Sequence, residues 1–75
     1  MTKATKLPFE VIMYDTEPVQ VTNHFSGESV TLTPEEVAVY DTIIGAQFLG
    51  DHKTVRKGLD WFIKNNPSAY MILLD

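Results

Sequence analysis

The segment Leu32-Thr33-Pro34-Glu35-Glu36-Val37 constrains this chain more than any other, because it spells a helix start and opens a helix that is apolar on almost every side. Thr33 stands at the N-cap, Pro34 at the first helical position and Glu36 three residues after the cap, the arrangement of a capping box. Leu32 and Val37 bracket it as a hydrophobic staple. Glu35 and Glu36 lie where the helix dipole favours negative charge, and Gly50 supplies a stop because it tolerates a positive φ. Along residues 34–49, Val37, Tyr40, Ile44 and Phe48 fall on one stripe, while Val39, Ile43 and Ala46 fall on a second, nearly opposite. A helix with two apolar stripes needs cover from two directions, and a chain of 75 residues has little material for both.

That shortage bears on function. A domain this small buries only about 60% of its unfolded surface, and its single core seldom contributes more than about 3–5 kcal/mol net. The chain has no Cys, so disulfides and thiolate metal sites are excluded and association with another chain is the remaining common source of stability. Eight aromatic residues and a hydrophobic fraction of 44% suit a folded domain. The formal charge of −4 argues against a nonspecific polyanion binder, which needs clustered Lys and Arg. The charge is uneven: residues 1–49 hold two lysines against seven carboxylates, and residues 50–75 hold four basic side chains against three acidic ones. No apolar run is long enough to span a membrane, and the first residues lack the apolar segment of a secretory signal. A cytoplasmic location is expected.

The pattern predicts one α+β domain over 9–75 behind a flexible arm at 1–8. Alternation predicts strands at about 9–14, 19–25 and 29–32, with Ser26-Gly27 as a two-residue hairpin turn that sets Val21 against Leu32 and Asn23 against Val30. An irregular loop is the alternative. Helices are expected at 34–49, 52–65 and 67–74, the last starting at the Asn66-Pro67 cap signal, although its length also permits a strand. Helix 52–65 turns Val55, Gly58, Leu59, Phe62 and Ile63 to one face and Lys53, Lys57, Asp60 and Lys64 to the other, leaving Trp61 on the boundary. The architecture is then a hairpin, with or without a third strand, packed on two or three helices.

Chemistry-bearing constellations are sparse. His24 lies near Ser26, Ser29 and Asp15, but a Ser-His-Asp site needs an enclosed pocket and oxyanion donors. His52 would need a second ligand at helical spacing, and Arg56 occupies that step. Asp41 interrupts the Val37–Phe48 stripe, so either the stripe's edge is exposed there or the carboxylate is paired, with His52, Lys53 and Arg56 as candidates. The four glycines are isolated, so no phosphate loop is present. Neither an enzyme nor a cofactor or metal site is expected. Ala46, Gly50 and Val55 invite a helix-turn-helix reading, but four residues rather than five separate the glycine from the valine.

Asn23-His24-Phe25-Ser26-Gly27-Glu28, Leu32-Thr33-Pro34, Val39-Tyr40-Asp41, Lys57-Gly58-Leu59-Asp60-Trp61-Phe62 and Tyr70-Met71-Ile72-Leu73-Leu74-Asp75 together resemble short proteins encoded by marine bacteriophages. The resemblance covers most of residues 9–75 and implies a setting, the cytoplasm of an infected bacterium, where small accessory proteins bind host or phage proteins. It implies no activity and no site residue. The expected function is a non-enzymatic protein-protein interaction module that self-associates or binds a host or phage protein, with Val39, Ile43, Ala46, Trp61 and Tyr70 as interface candidates. The alternative is a small nucleic-acid-binding regulator that uses Lys53, Arg56, Lys57 and Lys64.

Overall fold

The computed structural model describes residues 7–9 and 16–75. Two antiparallel strands, β1 (Val19–Thr22) and β2 (Ser29–Leu32), are followed by three helices, α1 (Pro34–Leu49), α2 (His52–Asn65) and α3 (Pro67–Leu73). The fold class is α+β, a hairpin packed on helices.

Helix α1 begins as its sequence dictates. The Glu36 amide donates to Thr33 Oγ1 at 3.2 Å, and the Thr33 amide donates to Glu36 Oε1 at 2.9 Å, completing the capping box. It ends at Gly50, whose φ of 73° lets its amide turn back to Ala46 and Gln47 carbonyls. Asp51 then caps α2 by accepting from the Thr54 amide, and Asn66 caps α3 by accepting from the Ala69 amide. The second carboxylate oxygen of Glu36 accepts from Asn66 Nδ2 at 3.0 Å, so the α1 cap and the α2–α3 corner share one side chain.

The hairpin differs from expectation by two residues. Val19 pairs with Leu32 and Val21 with Val30, rather than Val21 with Leu32. A slip of two keeps every side chain on its expected face, so Val19, Val21, Val30 and Leu32 still point to the core while Thr22 and Ser29 share a hydroxyl hydrogen bond of 2.8 Å outside. The cause is Asn23, whose Oδ1 accepts from the Phe25 and Ser26 amides and so captures donors that a longer ladder would use. The turn therefore spans Asn23 to Glu28, closed by the Asn23 amide on the Glu28 carbonyl and the Gly27 amide on the Asn23 carbonyl, both at 2.8 Å. Strand β1 stops at Thr22 instead of Phe25.

Phe62, Leu32, Ile43 and Val39 are wholly buried and, with Val37, Trp61 and Ala69, form the core. Burial of each large side chain among them contributes about 1.5–3 kcal/mol. Gly58 decides how closely α1 and α2 approach. A Cβ there would lie 2.6 Å from Ile43 Cδ1, so no larger residue fits the present contact. Leu7, expected in a loose arm, packs against the core, and the rest of that arm, apart from Pro8, lies outside the described residues. So does the expected strand at 9–14, except for Phe9, which sits in a bend, half-buried against the core.

Candidate interaction surface

The stripe expected to meet a partner is turned inward. Val39 and Ile43 are fully buried and Ala46 is 6% exposed, because the bare backbone at Gly58 lets α2 close over this side of α1. Substituting Ala46 with Asp would therefore break the core rather than probe an interface. Trp61 is corrected in the same way. It is buried edge-on to Phe62, with ring centroids 5.1 Å apart at 84°. Helix α2 is rolled so that Gly58, Trp61 and Phe62 face inward and Ile63, expected inside, is 46% exposed. Covering the larger indole removes more apolar area from water than covering Ile63 would. Of the five interface candidates only Tyr70 stays half-exposed.

The other α1 stripe opens progressively along the helix. Val37 is buried, Tyr40 and Ile44 are half-buried, and Phe48 is 88% exposed. Leu49 beside it is 85% exposed and borders a groove of about 410 Å³ whose walls include Phe9, Thr42, Ala46 and Thr54. Asp41 lies at the edge of this stripe and is exposed. An apolar pair at the end of a helix, next to an apolar groove, is a surface that gains by being covered.

A second apolar surface follows α2 and α3. Val55, Leu59, Ile63 and Tyr70 line a groove of about 340 Å³, with His52, Arg56 and Asp60 at its edges. His52, expected towards the apolar face, is exposed here. Lys53, Arg56, Lys57 and Lys64 are all exposed on α2, which carries every Lys and Arg among the described residues, whereas the described acids other than Asp60 lie elsewhere. The molecule thus has one basic helix on an acidic body.

The third feature is the tip of the hairpin. Alternation along β1 puts Phe25 on the covered face, yet its side chain is as exposed as in an isolated residue, at 102%. Asn23 holds the loop below it, and Asn23 Nδ2 donates to the Ile72 carbonyl at 2.8 Å, fastening the loop to α3. His24 is exposed in the same loop. Asp15, part of the grouping considered around His24, lies outside the described residues.

Sequence reasoning missed Phe25, Phe48 and Leu49 as surface residues. Asn23, two residues before Phe25, was the available sign for the first, since Asn readily caps its own turn. Position beside the Gly50 stop was the sign for Leu49, since a helix end has no neighbouring turn to cover it. Among the described residues no three His, Asp or Glu side chains gather in a metal-binding group, and no helix is long and apolar enough to cross a membrane. Compared with known proteins, the chain matches no family model, no curated protein and no solved structure.

Proposed function

We propose that this protein is a non-enzymatic protein-protein interaction module working in the cytoplasm of a bacterium, in the setting that its resemblance to short phage proteins implies. The exposed pair Phe48 and Leu49 carries the reading, because two adjacent large apolar side chains at 88% and 85% exposure gain most from a partner that covers them. The partner is a host or phage protein, or a second copy of the chain.

Sedimentation equilibrium over a wide concentration range and comparative capture from bacterial lysate, each with wild type and the Phe48→Ser/Leu49→Ser variant, test this. The expected outcome is association or capture by the wild type that the variant loses while its circular dichroism is unchanged. Identical behaviour of the two proteins in both assays would sink the proposal.

The exposed Lys53, Arg56, Lys57 and Lys64 favour nucleic acid as the second reading, since all lie on one helix. Net charge weighs against it. Titration of labelled duplex at two salt concentrations separates the readings, because phosphate contacts must weaken as salt rises.

A further inference from the structure

We infer that the surface at Phe48 and Leu49 receives an α-helix of a partner protein, apolar on the side it turns to α1, basic along its flank, and seated across Gly45. The inference rests on the reading of this surface as an interaction site and names the kind of partner it takes.

Gly45 carries it. The two mid-helix glycines of the chain are placed in opposite ways. Gly58 is buried, and a side chain there would meet Ile43, so the close approach of α1 and α2 offsets its low helix propensity. Gly45 is exposed in the middle of α1, and a Cβ added there would meet nothing within 4 Å. Inside the molecule no packing contact of this glycine offsets the helix stability it gives up. Its bare backbone lets a second helix come to the low end of the usual interaxial range of about 8–10 Å, as Gly58 does within the core.

The groove beside Leu49 has the form of a helix seat. Thr42, Gly45, Ala46 and Leu49 line it, and they follow one another at the three- and four-residue steps of one α1 seam about 10 Å long. Asp51 and Thr54, at the start of α2, also line it. Both walls are helical, so most of their backbone amides and carbonyls are engaged inside the helices. An extended segment pressed into the groove would find few partners for its own backbone groups, whereas a helix arrives with them satisfied.

Charge gives the partner its flank. Among the described residues that line the groove Asp51 alone is charged, and Lys53 and Arg56 of α2 stand outside the lining. Helix α1 carries Glu35, Glu36 and Asp41 and no Lys or Arg. Basic side chains beside the apolar stripe of the incoming helix complement this surface. A second copy fits it less well, because its α1 repeats the same three carboxylates, its α2 buries Trp61 and Phe62 in its own core, and its α3 has only seven residues.

Fluorescence anisotropy with two synthetic amphipathic peptides of about 18 residues tests this. They share a leucine face and carry either Lys or Glu on the polar face, and each is titrated with wild type, Gly45→Leu, Asp51→Asn and Phe48→Ser/Leu49→Ser. All altered positions are exposed and asparagine still caps a helix, so each variant should fold, and Gly45→Leu should unfold at a temperature no lower than wild type. Wild type is expected to bind the Lys peptide about tenfold or more tightly than the Glu peptide. Gly45→Leu should weaken that binding about tenfold, because the added side chain holds the two helices apart. The double serine variant should lose at least as much, and Asp51→Asn about two- to fivefold, less at high salt. The leucine substitution separates a seat from a merely apolar patch, since a patch would gain affinity from it. Binding that Gly45→Leu leaves unchanged or strengthens overturns the inference, as does equal binding of the two peptides or binding of neither. A wild-type dimer that Gly45→Leu dissociates in sedimentation equilibrium overturns it too, by giving the seat to a second copy. If Phe48→Ser/Leu49→Ser still abolishes association or capture in any of these events, the proposed function stands and only the helical partner is rejected.

Discussion

At the scale of single residues, Asp51 shows how one carboxylate couples chain geometry to pH. The Thr54 hydroxyl donates to Asp51 Oδ2 at 2.7 Å and the Thr54 amide to Oδ1 at 3.2 Å. These bonds favour the charged form and hold the group below its ordinary value of 3.8, with His52 and Lys53 adding a smaller pull in the same direction. A depressed carboxylate stabilises the fold above its unfolded pKa and loses that contribution as pH falls through its folded one. The stability difference between wild type and Asp51→Ala should accordingly narrow when urea unfolding is compared at neutral pH and at about pH 2.5. A difference that stays constant would mean that the carboxylate charge plays no part in capping α2. Caps of this kind were legible in the sequence at Thr33, Gly50 and Asn66, because a cap is settled by residues within four positions of it. The exposure of Phe25 was legible only through the tendency of Asn23 to cap its own turn, whereas the bond from Asn23 to Ile72 that fastens this loop to α3 is recorded in no local pattern.

At the scale of elements, two glycines in adjacent helices should respond oppositely to one substitution. Gly45 is exposed in mid-α1, and a Cβ added there would meet nothing within 4 Å, so Gly45→Ala should stabilise by about 0.5–1 kcal/mol through helix propensity. Gly58→Ala gains the same propensity but drives its methyl into Ile43, which is fully buried. Overpacking costs about 1–3 kcal/mol, so this variant should be less stable than wild type by up to about 2 kcal/mol. Thermal unfolding reads both, at about 4–8 °C per kcal/mol for a domain of this size. A more stable Gly58→Ala protein would contradict the close approach of α1 and α2. The same contact explains what the sequence left open about α1. Periodicity marks both apolar stripes, but which of them is covered depends on where α2 can come nearest, and that is decided by the missing side chain at Gly58. Strand faces were legible for a simpler reason, because a two-residue slip in the Val19–Leu32 register returns every side chain to its own side.

For the molecule as a whole, α3 is where distant parts of the chain meet. Seven residues make a helix too short to persist alone. It is held at its start through Asn66 to Glu36 and near its end through the Ile72 carbonyl to Asn23, bonds that span 30 and 49 residues. The exposed apolar residues follow from the same economy of size, since a body this small covers Phe62 and Trp61 but leaves Phe48, Leu49 and Phe25 outside. The long reach of the Asn23 bond also has a kinetic meaning. We predict that this side-chain bond forms after the rate-limiting step, because it can close only once the core has brought the hairpin and α3 together. Replacing Asn23 with Asp, which keeps an acceptor for the Phe25 and Ser26 amides and removes the donor to Ile72, should thus speed unfolding and leave the refolding rate nearly unchanged in stopped-flow experiments. The fastening of the hairpin to α3 would then act as a latch on the time the protein stays folded, with little influence on how quickly it gets there.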